Sequence, residues 1–79
     1  MSLPTISTNG SFTTIVNGKT TLWFSYSTLI GFAVNGQRFV QENQWGNTTG
    51  KHLNAIDGGN KKLRVSAEEF ERKYNELMS

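Results

Sequence analysis

The chain has 79 residues, no cysteine, a single histidine and a formal net charge of +2. This length allows one domain. Without cysteine it forms no disulfide, and one histidine is too few for a structural zinc site. No apolar run approaches the roughly 20 residues that a membrane-spanning helix needs, and no signal-peptide pattern opens the chain. We therefore expect a cytoplasmic protein that does not contact membranes and holds no metal or cofactor.

The small core predicts self-association. Only 35% of the residues are hydrophobic, and a core of this size rarely supplies more than about 3–5 kcal/mol. Small domains usually add a disulfide, a metal or a partner subunit, and the first two are excluded here. We therefore expect a homo-oligomer.

The first ten residues are rich in Ser, Thr and Asn. We expect residues 1–10 to be a flexible N-terminal segment, or at most an edge strand. A single α+β domain is predicted over residues 11–79.

Two Asn-Gly pairs predict two β-hairpins, because these residues tolerate the positive φ angles of a type I′ turn. Asn17-Gly18 lies between apolar and β-branched runs at 12–16 and 19–26, and Asn35-Gly36 lies between similar runs at 28–34 and 37–42. β-Branched and aromatic residues favour strands.

The alternation of side chains along these hairpins predicts a sheet that is partly apolar on both faces. In the second hairpin one face would carry Ile30, Phe32, Val34 and Phe39, and the other Leu29, Ala33, Arg38 and Val40. In the first hairpin Leu22, Phe24 and Tyr26 would share a face with Ile15, while Trp23 joins Phe12 and Val16. One face can be covered by a helix. The other would need a neighbouring subunit, and the predicted interface residues are Phe12, Trp23, Leu29 and Val40.

The C-terminal third predicts one short helix, one short strand and one amphipathic helix. Thr49 would cap a helix running to about Asp57, with Leu53 and Ile56 facing inward and Gly58 ending it. Residues 62–65 alternate like a short strand. Ser66 to Glu69 forms a capping box with a hydrophobic staple between Val65 and Phe70, followed by apolar residues at helical spacing.

The expected fold class is thus α+β. It consists of an antiparallel sheet of about four to five strands, made from two Asn-Gly hairpins and a short strand, with a C-terminal helix packed on one face.

The irregular segment before the last strand holds most of the candidate binding residues: Trp45, Thr48, Thr49, Lys51, His52 and Asn54. A helix beginning at Thr49 would offer free N–H groups beside Lys51, which suits a small anionic ligand. A capped turn with a solvated lysine is the simpler interpretation. His52 with Asp57 as its orienting group could act as a general base, but catalysis also needs a nucleophile or a substrate pocket, and a domain this small offers little concavity. We therefore predict no catalytic residues and no enzymatic activity.

An alternative interpretation is a nucleic-acid-binding module. Residues 1–65 carry six Lys and Arg against two acids, whereas the remainder carries two against four. A basic stripe for phosphates would consist of Arg38, Lys51, Lys61, Lys62 and Arg64, with Trp45 able to stack on bases.

Several short strings carry a resemblance to a known group of sequences: Phe24-Ser25-Tyr26, Glu42-Asn43, Trp45 and, above all, Thr48-Thr49-Gly50-Lys51-His52-Leu53-Asn54. Over roughly residues 20–78 the chain resembles an uncharacterised small domain family of bacteriophage and of marine viral or environmental bacterial sequences. That family has no assigned activity. The resemblance implies a phage origin, the host cytoplasm as location and a host or phage protein as partner. The leading hypothesis from sequence is therefore a small non-enzymatic interaction protein that acts as a homo-oligomer and binds a macromolecular partner.

Overall fold

A six-stranded sheet, with the strands in the order of the chain, forms the centre of the structure. The structure is a computed structural model, and it describes residues 4–59, 62 and 64–78. The elements are β1 (Thr5–Asn9), β2 (Phe12–Asn17), β3 (Thr20–Ser25), β4 (Thr28–Val34), β5 (Gln37–Gln41), α1 (Asn47–Asp57), β6 (Arg64–Val65) and α2 (Ala67–Met78). Within this described part of the chain, neither helix has the length and apolar character needed to cross a membrane.

Strands β1 to β5 pair antiparallel, and β6 joins the edge of β5 in parallel. The predicted α+β class is confirmed, although the sheet has more strands than expected. One additional strand is β1, which pairs with β2. The first segment therefore forms an edge strand, which was the alternative to a flexible segment. The predicted strand at 62–65 is confirmed at Arg64–Val65. Lys62 lies outside it, and Leu63 is not among the described residues.

The two Asn-Gly pairs form turns of different kinds. Asn35 and Gly36 both have positive φ, 51° and 83°, as a type I′ turn requires. In the first hairpin Asn17 instead pairs with Thr20, and Gly18 begins the turn with φ 63°. The turn is thus shifted by one residue from the prediction. Cross-strand partners move by two positions, so the predicted faces of this hairpin are retained.

A β-bulge changes the predicted faces of β4. Trp23 pairs with Gly31 but Phe24 pairs with Leu29, which leaves Ile30 as the extra residue. Ile30 therefore lies with Val40 in one buried cluster. Leu29 lies on the opposite face, beside α2. The prediction that grouped Ile30 with Phe32 and Leu29 with Val40 was wrong for this reason.

Each face of the sheet is covered by one helix. On the first face Ile30 and Val40 pack against Leu53 and Ile56 of α1, with Phe12 and Trp23 at the margin of the cluster. On the second face Phe32 stacks on Phe39 and meets Phe70 and Tyr74 of α2 edge to face. We expected one helix-covered face and one open face. Over the strands that α1 contacts, no neighbouring subunit is needed to cover the apolar side chains.

Helix α1 begins three residues earlier than predicted, since Thr49 was the expected cap. Its N-cap is Gly46, which gives no side-chain cap. Thr49 lies inside the helix and is 7% exposed, and its hydroxyl is hydrogen-bonded to that of Ser25 in β3. The inward-facing residues Leu53 and Ile56 are confirmed. So is the end of the helix at Gly58, whose φ is 67° and whose amide donates to the Asn54 carbonyl.

Half of the predicted capping box forms at α2. The amide of Glu69 donates to the Ser66 hydroxyl at 3.3 Å. The Glu69 carboxylate, however, accepts from Arg72 one turn along the same helix instead of reaching back to the cap. Phe70 is 5% exposed, which confirms that this helix docks on the sheet.

Candidate functional site

The predicted binding residues of the irregular segment lie on two sides of α1. Thr49 and His52 point toward the sheet, where Thr49 is buried and His52 is half-buried. Lys51 and Asn54 line an open groove on the outer side of the helix. Trp45, 39% exposed, and Thr48, also exposed, lie at the start of this region. The segment therefore does not form one convergent pocket.

The inner side is a cluster of hydroxyl groups around His52. The Ser25 hydroxyl is 2.8 Å from His52 Nδ1 and 2.9 Å from the Thr49 hydroxyl. The Ser11 hydroxyl is 3.4 Å from His52 Nε2. Phe12 stacks on the imidazole with ring centroids 5.0 Å apart. Both ring nitrogens therefore have hydroxyl partners, and the cluster joins α1 to β2 and β3.

Sequence reasoning missed the two serines of this cluster. Ser11 and Ser25 lie 41 and 27 residues before His52. Nothing in their local sequence distinguishes them from other strand-end serines. Only the antiparallel pairing that places Ser25 opposite Phe12 brings them to the same end of the sheet.

Asp57 does not orient His52, contrary to the arrangement considered from sequence. Its carboxylate accepts from Arg64 Nε at 2.7 Å and from Arg64 Nη2 at 3.2 Å. It also accepts from the Gly59 amide at 2.9 Å, as a turn residue would. The side chains of Arg64 and Asp57 are 5% and 0% exposed. The pair ties the end of α1 to β6.

The electrostatics of Asp57 follow from these contacts. Burial alone would raise the pKa of the Asp57 carboxyl. The hydrogen bonds from Arg64 and from the Gly59 amide, together with the charges of Arg64 and Arg38, outweigh burial and hold this pKa below its ordinary value. The carboxylate is therefore ionised at neutral pH and able to fix Arg64.

The outer side of α1 forms a polar groove, which we call the asparagine groove. Its volume is ≈ 710 Å³, and its lining residues are Glu42, Asn43, Asn47, Gly50, Lys51, Asn54 and Arg64. The four α1 residues recur at helical spacing, so they form one stripe of the helix. Across the groove lie the end of β5 and the start of β6.

The amide oxygens of two groove residues are already bonded within the chain. Asn43 Oδ1 accepts from the Trp45 amide at 2.9 Å. Asn54 Oδ1 accepts from Arg64 Nη2 at 2.8 Å. Because these donors must meet the oxygen of each amide, they also fix where each Nδ2 group points.

The predicted basic stripe is divided among several contacts. Arg38 Nη1 donates to the Ile56 carbonyl at 2.9 Å, and Arg64 is bound to Asp57. Lys51 lines the asparagine groove, Lys62 is exposed and Lys61 lies outside the described residues. The two arginines are thus held by neighbours within the chain.

The residues predicted for the subunit interface lie on different faces. Phe12 and Trp23 pack on the cluster under α1, and Val40 inside it is 2% exposed. Leu29 is on the α2 face. These four side chains therefore do not form one accessible patch.

A different surface is accessible at the first edge of the sheet. All five residues of β1 are exposed, and Ile6 is 65% exposed. Ile6 opens a row of directly paired side chains that continues through Ile15 and Leu22 to Phe32. Burial falls along this row from Phe32, which α2 covers, to Ile6. We call β1 with the Ile6, Ile15 and Leu22 side chains the β1 edge surface.

These features define a small α+β domain with a mostly antiparallel sheet between two helices. The chain belongs to a family of unknown function, DUF8033, whose model matches residues 1–72. No curated protein and no solved structure matches the chain. The expectation of an uncharacterised small domain family is thereby confirmed, and membership brings no assigned activity.

Proposed function

We propose that this is a non-enzymatic interaction protein that acts as a homo-oligomer, and that two copies join through the β1 edge surface. The observation that carries the proposal is the unprotected edge strand. Among the described residues β1 pairs with β2 alone, and it is exposed along its whole length. The outer N–H and C=O groups of such a strand are a template for another strand.

The sequence of β1 lacks the usual protection against strand addition. Edge strands are commonly blocked by lysine, by proline, by a bulge or by an inward-pointing charge. Thr-Ile-Ser-Thr-Asn contains no charge and no proline. Pro4, which directly precedes it, has no N–H to donate and so limits strand addition to β1 itself. Its register with β2 runs without interruption from Thr5 to Asn9. The edge is therefore available for a further strand.

A second copy is the occupant that this strand fits best. Antiparallel pairing about a two-fold axis at Ser7 would place Ile6 opposite Thr8 of the second copy, with the two Ile6 side chains as diagonal neighbours on one face. No like charges would meet, since β1 has none. The row through Ile15 and Leu22 would become continuous across both copies, which buries side chains that one copy leaves partly exposed.

The test is the oligomeric state by light scattering and sedimentation. We expect a dimer at low micromolar concentration. Ile6→Lys should weaken it by at least about tenfold, because a charge would replace the apolar contact at the edge. Gln37→Lys is the matched control. It adds the same charge at an exposed position of β5, far from the edge, and should leave the dimer unchanged.

Two outcomes would contradict the proposal. One is a native chain that stays monomeric well above low micromolar concentration. The other is a dimer that Ile6→Lys and Gln37→Lys weaken equally, because the association would then not involve β1.

The rest of the proposal concerns the partner and the location. A phage origin, which the resemblance implies, would place the dimer in the host cytoplasm with a host or phage protein as its macromolecular partner. The non-enzymatic part is supported by burial. The Ser25 hydroxyl lies 2.8 Å from His52 Nδ1, but Ser25 is only 3% exposed and Phe12 stacks on the imidazole, so the pair is withdrawn from a substrate.

A further inference from the structure

We propose that the asparagine groove is a binding site for a small ligand that carries one oxyanion group, either a carboxylate or a phosphate monoester. The groove lies beside β5 and β6, at the edge of the sheet opposite to β1. The inference therefore goes beyond the proposed dimer and does not depend on it.

The groove presents oriented hydrogen-bond donors. Asn43 and Asn54 each use the amide oxygen in a bond within the chain, to the Trp45 amide and to Arg64 respectively. The Nδ2 amino groups of these two side chains are therefore available to a ligand. Asn43 Nδ2 also makes a long contact of 3.5 Å with the Gly46 carbonyl. Donors that are held in place before binding favour an acceptor ligand, because little side-chain entropy is lost when it binds.

One cationic side chain adds to these donors, and a second is held in the groove wall by contacts within the chain. Lys51 is exposed on the helix stripe between Asn47 and Asn54, so its ammonium can move to the ligand. Arg64 is held in the wall by Asp57 and Asn54, with a side chain only 5% exposed. A flexible ammonium and fixed amide donors together form the strong, charge-assisted hydrogen bonds that oxyanions accept.

Gly50 keeps the space for this arrangement. A Cβ atom at residue 50 would lie 3.1 Å from Asn43 Nδ2. Any larger residue there would push the amino group away from its present position.

The charge balance limits the ligand to one oxyanion group. Glu42 lines the groove, and Asp57 lies behind Arg64, so two carboxylates oppose Lys51 and Arg64. A polyanion would meet the Glu42 charge without a further cation to compensate for it. Glu42 is instead suited to accept from a hydroxyl or amino group on the same small ligand.

The test uses inorganic phosphate and acetate as probes, with chloride at equal ionic strength as the reference. Binding is followed in two-dimensional ¹H–¹⁵N spectra through the side-chain amides of Asn43 and Asn54 and the backbone amide of Gly50. Saturable shifts with phosphate alone assign a phosphate ligand, and saturable shifts with acetate alone assign a carboxylate. Saturable shifts with both assign a general oxyanion site. If neither probe shifts these signals more than chloride does, the proposal is overturned.

Two variants with matched controls locate the site. Asn43→Asp keeps the oxygen that accepts from Trp45 but removes the donor, and Lys51→Met removes the ammonium. Each should weaken probe binding by at least about tenfold. Asn9→Asp and Lys19→Met make the same changes at exposed positions outside the groove and should change affinity by less than about twofold. Equal weakening by Lys51→Met and Lys19→Met would show that only the net charge of the protein affects binding, and would overturn the site.

Discussion

The ionisation of Asp57 is coupled to the fold through its contacts with Arg64 and the Gly59 amide. Its pKa is lower in the folded protein than its ordinary value because the bonds and charges of its neighbours outweigh burial. The Arg64–Asp57 pair therefore stabilises the fold fully above the ordinary carboxyl pKa of about 4, and this stability is lost as the pH falls through the lower folded value.

Asp57→Asn should cost about 3 kcal/mol at pH 7, because it leaves the buried Arg64 guanidinium without its counter-ion. Urea unfolding between pH 7 and pH 3 measures both effects, and the variant should lose less stability than the native chain on acidification. Glu71→Gln, which changes an exposed acid of α2 beyond its first turn, should alter stability by less than about 0.5 kcal/mol. A variant as stable as the native chain at pH 7 would show that the ion pair contributes nothing.

The sequence identified several residues of the candidate site but not their contacts. Lys51, Asn54 and His52 were selected because they stand in a polar, irregular stretch. Their actual neighbours, such as Arg64 and Ser25, come from other strands, and only the assembled sheet brings them close. The division of α1 into an inner and an outer side also depends on where the helix begins. That start could not be predicted, because Gly46 provides no side-chain cap that the sequence would reveal.

Among the elements, those with local chemical causes were predictable and those set by packing were not. The Asn35-Gly36 turn and the Ser66 cap form as their sequences predict. The bulge at Ile30 was missed, although a glycine inside a strand is typical of one. Gly31, next to the bulge, lies close to Ile56 of α1, and this long-range contact could not be predicted from the local sequence.

Gly31 gives a test of this packing. A Cβ atom there would lie 3.3 Å from both Ile56 Cδ1 and Trp23 Cε3, and 3.4 Å from the Phe39 carbonyl. Gly31→Ala should therefore destabilise the fold by about 1–3 kcal/mol through overpacking. Chemical denaturation measures the loss.

A double-mutant cycle separates overpacking from other causes. Ile56→Val removes the Cδ1 atom that the new methyl group would meet, so Gly31→Ala should cost less in that background than in the native chain. Additive losses would mean that the contact between β4 and α1 does not determine the cost.

At the scale of the molecule, the coverage of the sheet is uneven. Both helices lie over the later strands, where Ile30 and Phe32 are fully buried. β1, by contrast, is exposed along its whole length. The sequence predicted apolar side chains on both faces of the sheet. Over the later strands the two helices cover these side chains, and the part of the sheet that stays uncovered is the edge at β1.

Hydrogen exchange can show whether a second copy occupies that edge. In a monomer the outward-pointing amides of β1 have no strand partner and should exchange rapidly. In the dimer they would donate to the second copy, so protection should rise by at least about tenfold as concentration passes through the dissociation constant. The backbone amides of the inner strands β4 and β5, such as those of Phe32 and Val40, should keep the same protection at every protein concentration.

Ile6→Lys serves as the monomeric reference in this measurement. It should show fast exchange in β1 at every concentration while its core amides match the native chain, which separates loss of the dimer from loss of the fold. Exchange in β1 that does not change with native-chain concentration would contradict strand pairing, because mass action requires bonds between copies to form more completely as the protein is concentrated.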